Sequence, residues 1–249
     1  MAGIFDKLWK SPEGKERDLL VLLMEAYART LEIPPDSIRR WIEKTPANRN
    51  HIPAIRSRFP TAKIILTLRD PRGVFDARLK RERAKKVSRL SLFDNVLNWR
   101  TAAENALRYG QDPDCFLVRF EDLLHEPGRV MRTLAGFLDI DFLPCLLEPT
   151  KAGATWSGNS AAKTGFSGIN PAPCDRWRTA LTPDEIGWIE RHCGDLMTRL
   201  NYPLLGTGHG AWWKPLPGES CWSYLRSRWK SARFLLTQSA RRVNKPPVD

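Results

Sequence analysis

The chain has 249 residues, 42% of them hydrophobic, which is enough for one large domain with a sizeable core. Forty Lys+Arg against 28 Asp+Glu give a formal charge of +12 and a pI near 9.8. Such a balance favours anionic partners (nucleotides, sulfated or phosphorylated substrates, nucleic acid, an acidic membrane surface) without choosing among them. The start, MAGIFDKLWKSPEGKER, lacks the apolar core of a signal peptide, and Leu19 to Met24 is too short to span a bilayer, so a cytoplasmic protein is expected. The five cysteines, at 115, 145, 174, 193 and 221, are scattered and form no CxxC, which reads as reduced thiols.

In chain order, Glu16 to Leu31 reads as a helix with a broad apolar face, ended by Pro34 and Pro35. Asp36 is expected to cap a short helix through Trp41, and Pro46 to break regular structure. Asn50 is expected to cap a helix over HIPAIRSRF, where Ile52, Ile55 and Phe59 have helical spacing. KIILTL, from Lys63 to Leu68, is a nearly continuous apolar run, which suits a strand covered on both faces of a parallel sheet. RDPRG then breaks the run, with a helix expected from Val74. Arg69 leaves the strand end and Arg72 follows three residues later, where ligands sit in open α/β sheets. Two readings stand side by side: a phosphate grip, or a surface salt bridge from Arg69 to Asp70 or elsewhere.

Lys80 to Arg89 is heavily basic and reads either as a solvated face or as part of an anion site. Leu92 to Tyr109 reads as a helix stopped by Gly110, Cys115 to Val118 as a second buried strand, and Arg119 to Leu123 as a loop. Pro127 to Leu138 is a further helix, and this alternation argues for a parallel α/β sheet. Pro149 to Asp175 reads as a long irregular excursion. Thr182, Pro183 and Glu185 form a capping box at a helix start. Beyond Pro203 come Trp212, Trp213, Trp222 and Trp229 among many cations. Ser223 to Arg242 reads either as a basic amphipathic helix on an anionic membrane or partner, or as an appendage folded on the domain.

Taken together, EKTPANRNHIPAIRSRFPTAKII, LRDPRGV, NWRTAAENAL, FLVRFEDLLHEP and RWRTALTPDEIGWIE…LNYPL resemble the sulfotransferases that use 3′-phosphoadenosine 5′-phosphosulfate, in their broad bacterial branch. The likeness runs from about Trp41 to Leu204 in the family's order. It implies a three-layer α/β fold like that of the P-loop NTPases, with a short parallel sheet. The organisation expected is a helical segment over 1–40 on the substrate side, an α/β domain over 41–205, and a basic Trp-rich tail over 206–249.

The resemblance also implies roles. Arg69 matches the arginine that binds the nucleotide's 3′-phosphate. The family's second phosphate ligand, a serine, is replaced by Ala77, with Arg78 beside it as a substitute. Phe120 stands near the adenine in place of a tyrosine, and Lys163, Arg176 and Arg178 lie where the family closes a basic flap. Lys44 matches an active-site lysine that stabilises charge on the sulfuryl oxygens. Pro46 replaces the catalytic histidine of the cytosolic branch, which leaves Glu43, His51 or a carboxylate from elsewhere as the base. Each also has a structural reading, Glu43 as a surface charge and His51 as the first turn of a helix.

The family's glycine-rich 5′-phosphosulfate loop has no counterpart before Lys44, where Gly3 and Gly14 are the only glycines. The fold is therefore expected to be N-terminally incomplete, and turnover by this chain alone to be low. Competing readings are a non-catalytic relative that binds 3′-phosphoadenosine nucleotides, and a basic membrane-surface or nucleic-acid-binding protein; nucleic acid ranks last. The acceptor is expected to be a small molecule or a carbohydrate with a hydroxyl or amine. No metal is expected, because His51, His125, His192 and His209 and the cysteines lack ligand spacing.

Overall fold

The structure, a computed structural model, describes residues 18–85, 92–151, 154–155 and 168–206, and the chain divides into two units, Met1–Asn48 and Arg49–Asp249. In the first unit, helix α1 spans Leu19–Thr30. Asp18 stands in extended conformation before it, and its carboxylate accepts the Leu20 N–H at 2.8 Å, so the helix starts at this cap. Leu22, Ala26 and Ala28 are buried, while Leu19, Leu23 and Tyr27 remain exposed. The short helix expected through Trp41 is instead a 3-10 turn, Pro35–Ser37, with Pro34 at its cap position and Asp36 inside it. The Ser37 hydroxyl donates to the Pro34 carbonyl and helps to close that single turn.

A 3-10 helix, Pro46–Asn50, precedes α2, Ile52–Arg58, in the second unit. His51, not Asn50, takes the cap position of α2, because Asn50 is consumed by the preceding turn. Strand β1 is Ile64–Leu68, followed by α3, Pro71–Lys85, and α4, Leu92–Tyr109. Strand β2, Cys115–Arg119, returns parallel to β1 in register from Ile64↔Cys115 to Leu68↔Arg119. Parallel neighbours need a crossover of this kind, and two helices supply it.

Helix α3 begins three residues earlier than the sequence suggests. Pro71 occupies its first turn, Asp70 Oδ1 accepts the Arg72 N–H at 2.8 Å, and the Asp70 carbonyl accepts from Val74 at 3.1 Å. Arg119 to Leu123 is not a loop either. Strand β2 runs straight into α5, Phe120–His125, and α6 follows at Pro127–Leu138. The excursion after Pro149 contains a small antiparallel pair, β3 (Thr150–Lys151) and β4 (Ala154–Thr155). Short helices α7, Ala172–Asp175, and α8, Trp177–Ala180, lead to α9, Pro183–Arg199. Both arms of the expected capping box at α9 are formed: the Glu185 N–H donates to Thr182 Oγ1 at 3.2 Å, and the Thr182 N–H to Glu185 Oε2 at 2.9 Å.

The core of this unit lies where α3, α4 and α9 meet beneath the end of β1. Phe75 and Leu79 of α3 meet Val96, Trp99 and Ala103 of α4 and Ile189, Cys193 and Met197 of α9. Phe75 meets Trp188 edge-on, with centroids 5.9 Å apart. Each large apolar side chain buried this way contributes about 1.5–3 kcal/mol relative to exposure. The packing fixes the first turn of α3 against the carboxyl end of the parallel pair. Thr67 is exposed, so β1 is not covered on both faces; the opening beside it is the candidate site.

Among the described residues, no helix is long and apolar enough to cross a membrane. The tail from residue 207 and the Lys163-Thr164-Gly165 segment lie outside the described residues.

Candidate functional site

Since β1 ends at Leu68 and α3 begins at Pro71, Arg69 and Asp70 form the whole connection between them. Both are anchored through the backbone. The Arg69 carbonyl accepts from Trp99 Nε1 at 2.8 Å, and the Asp70 N–H donates to Glu121 Oε1 at 2.9 Å. The second oxygen of Glu121 accepts from the Tyr202 hydroxyl at 3.1 Å.

With its backbone fixed, the Arg69 side chain lies over the first turn of α3. A Cβ placed on Gly73 would stand 2.9 Å from Arg69 Nε, so glycine there is what lets the guanidinium approach the helix. One face of the guanidinium stacks on Phe120, 4.4 Å from the ring centroid, and Nη2 donates to the Pro173 carbonyl at 2.7 Å. Nε is buried without a hydrogen-bond partner. Burial pushes the Arg69 guanidinium below the ordinary arginine range, an effect that Glu121 opposes and Arg176 reinforces. Arginine still carries its charge throughout the physiological range.

Arg69 and Phe120 line a cavity of about 270 Å³ together with Arg49, Asn95, Asn98 and Trp99. Among the described residues, the lining holds two arginines and two asparagines but no carboxylate. Chemically it is a receptor for an oxyanion beside an aromatic face. Arg49 lies in the PANRNH stretch, where no local signal marks it as a site residue. Its Nη2 donates to Asn98 Oδ1 at 2.5 Å, its carbonyl accepts from Asn105 Nδ2 at 2.6 Å, and its Nε is buried without a partner. Asn98 and Trp99 sit side by side in the quoted NWRTAAENAL, so one turn of α4 orients both arginines.

Arg72 has a different role from the phosphate grip that its spacing suggests. It is 1% exposed, with Nη2 on Asp70 Oδ2 at 2.6 Å and Nη1 on Glu190 Oε1 at 2.8 Å. Its guanidinium also lies 4.0 Å from the Trp177 ring centroid. The salt bridge considered for Arg69 therefore belongs to Arg72, and it is buried.

The remaining sequence-derived residues are dispersed. Ala77 and Arg78 are half-buried on α3, outside the lining of the cavity. Arg176 pairs with the buried Asp76 at 2.8 Å, tying the start of α8 to α3. Arg178 pairs with Asp175 at 2.8 Å and lines a second cavity of about 170 Å³ that also holds Glu121 and Cys174. His51 is exposed and makes no capping bond with its side chain. In the first unit, Lys44 is exposed, and the Glu43 carboxylate accepts from Thr45 Oγ1 at 2.5 Å and from Asn48 Nδ2.

Asp112, Asp114 and Cys115 offer three atoms within 4.8 Å of one another, the one metal-like group among the described residues. Arg56 Nη2 already donates to all three, at 2.7, 2.6 and 3.1 Å, so a guanidinium fills the place of a cation.

Comparison with known proteins agrees with this architecture. The Sulfotransferase Domain from the Curacin Biosynthetic Pathway superposes with a TM-score of 0.53 at 21% identity, covering 81% of this chain and 79% of that one. The Sulfotransferase Domain from the Synechococcus PCC 7002 Olefin Synthase gives 0.51 at 22% identity, covering 81% and 76%. Both show the α/β sulfotransferase fold that the sequence implies. A family model described as "Sulfotransferase family" matches residues 2–144, more than half of the chain, and reaches well upstream of the likeness read from Trp41. The chain belongs to the sulfotransferase family.

Proposed function

We propose that this chain binds a 3′-phosphoadenosine nucleotide at the mouth of its parallel strand pair and serves sulfuryl transfer to a hydroxyl or amine acceptor. The observation that carries the reading is Arg69: a half-buried guanidinium at the carboxyl end of β1, stacked on Phe120, in a cavity whose described lining holds no carboxylate. The fit test is the lining itself, because among the described residues it sets two guanidinium groups beside an aromatic ring with no carboxylate to neutralise them, a donor set that suits an oxyanion. In the proposed complex, Arg69 holds the 3′-phosphate and Phe120 offers its ring to the base.

When bound, 3′-phosphoadenosine 5′-phosphosulfate supplies the sulfuryl group: the acceptor's oxygen or nitrogen bonds to sulfur, the S–O bond to the 5′-phosphate breaks, adenosine 3′,5′-bisphosphate leaves, and the acceptor's proton passes to a base. The protein's share is alignment and fixed positive charge. The resemblance gives Lys44 the charge-stabilising role and leaves Glu43 and His51 as candidate bases. Lys44→Ala, Glu43→Gln and His51→Ala in a transfer assay test these assignments.

The test is calorimetric titration with adenosine 3′,5′-bisphosphate. Weak binding by the wild type, lost for the most part in Arg69→Ala, supports the reading. Equal affinity in the two proteins removes it.

A further inference from the structure

We infer that Arg49 is a second oxyanion ligand, and that it grips the same phosphoryl-type group as Arg69 in the cavity that both line. Among the described residues, Arg49 and Arg69 are the only charged ones in the lining, and each has a buried Nε without a hydrogen-bond partner. Two guanidinium groups in one lining without a described carboxylate leave a surplus of positive charge, which an oxyanion cancels.

Arg49 is also held for such a role. Asn98 takes its Nη2, Asn105 takes its backbone carbonyl, and both asparagines lie on α4, the helix whose Trp99 fixes the Arg69 backbone. One rigid element therefore sets the positions of both cations, an arrangement suited to fixed-geometry anion recognition. The volume agrees: about 270 Å³ falls just below the range of about 300–1,000 Å³ typical of sites that enclose a whole drug-sized ligand. It accommodates one tetrahedral oxyanion with its immediate attachment. The inference rests on the proposed nucleotide reading only for what carries the oxyanion.

The experiment uses the full chain and two probes, inorganic phosphate followed by thermal melting and adenosine 3′,5′-bisphosphate followed by calorimetry. Arg49→Gln and Arg69→Ala are each expected to weaken phosphate binding by about tenfold, and the double variant by clearly less than the product of the two losses, because the second change acts on an oxyanion already released. Arg49→Lys, which keeps the charge but not the fork, is expected to lose about threefold, and it carries the test if Arg49→Gln does not fold. Phosphate affinity in Arg49→Gln within twofold of wild type overturns the inference. So does fully multiplicative loss in the double variant, or wild-type protein that phosphate does not stabilise. If phosphate binds as described and the nucleotide does not, the oxyanion site stands and the nucleotide reading falls. If the nucleotide binds through Arg69 and Arg49→Gln changes neither probe, the nucleotide reading stands and the second ligand falls.

Discussion

Arg72 and Glu190 form an ion pair at 2.8 Å with side-chain exposures of 1% and 7%, joining the first turn of α3 to the middle of α9. Asp70 completes the group at 2.6 Å, and the other oxygen of Glu190 accepts the Gly206 N–H at 3.1 Å. The guanidinium thus holds together the site connection, the last long helix and the segment beyond it. Its removal strands two buried carboxylates.

Arg72→Ala is therefore expected to lower stability by about 3–5 kcal/mol, the usual cost of leaving buried charge uncompensated. Glu190→Gln should cost less, since the amide keeps one acceptor and Asp70 still neutralises Arg72. Urea midpoints of the two variants against wild type decide the matter. Equal midpoints in all three proteins would show that the triad is not buried in solution.

The thiols should separate by burial. Cys193 is fully buried in the core, and burial pushes its thiol up to about 12. Burial also raises Cys115 and Cys174, whereas Cys145 is exposed. At about pH 8, iodoacetamide is expected to label Cys145 first among these four, with Cys193 labelled only after denaturant is added. Peptide mass spectrometry over a time course reads this directly, and early labelling of Cys193 in native protein contradicts it.

What the sequence disclosed was local order. The ends of α4 and α6, the capping box at Thr182 and the apolar strand at Ile64 each carry their cause within a few residues, and each is found where it was expected. What it concealed depends on distant partners. RFEDL looks like a loop because its polar residues suit one, yet Glu121 is drawn into the fold by the Asp70 N–H and the Tyr202 hydroxyl. RDPRG shows two arginines at equal advantage, and only Glu190, 118 residues downstream, assigns Arg72 to the interior and leaves Arg69 to the cavity. Arg49 escaped notice because its significance depends on Asn98 and Asn105 in another helix. Asn50 failed as a cap because a 3-10 turn had already used it.

The bidentate pair between Arg100 and Asp195, at 2.5 and 2.7 Å, links α4 to α9. The Arg100 hydrogen bond holds the Asp195 carboxyl below its ordinary value of 3.8. A carboxyl lowered in the folded state adds stability that is fully present above that value and is lost as the pH falls through the folded one. Asp195 is 59% exposed at its side chain, so solvent screening limits the contribution to under about 1 kcal/mol. Wild type should exceed Asp195→Asn in urea midpoint at about pH 6, and the gap should narrow towards about pH 3. A gap that widens on acidification refutes the assignment.

Gly73→Ala separates stability from binding at one position. Gly73 lies in the first turn of α3, where alanine normally favours the helix by up to about 1 kcal/mol. The added methyl, however, would stand 2.9 Å from Arg69 Nε and 3.1 Å from Nη2. That guanidinium has little room to retreat, with Phe120 beneath it and Pro173 at its end. The methyl should therefore push Arg69 off its ring and out of its place in the cavity lining. The helix gain and the lost ring and Pro173 contacts offset one another, so the expected result is a melting temperature within a few degrees of wild type, together with a loss of adenosine 3′,5′-bisphosphate affinity of about tenfold, as for a lost charge-assisted hydrogen bond. Arg69→Ala in the Gly73→Ala background should then add little, since the methyl has already removed the contact. Unchanged affinity in Gly73→Ala would mean that the ligand is held by something other than the guanidinium lying on this turn.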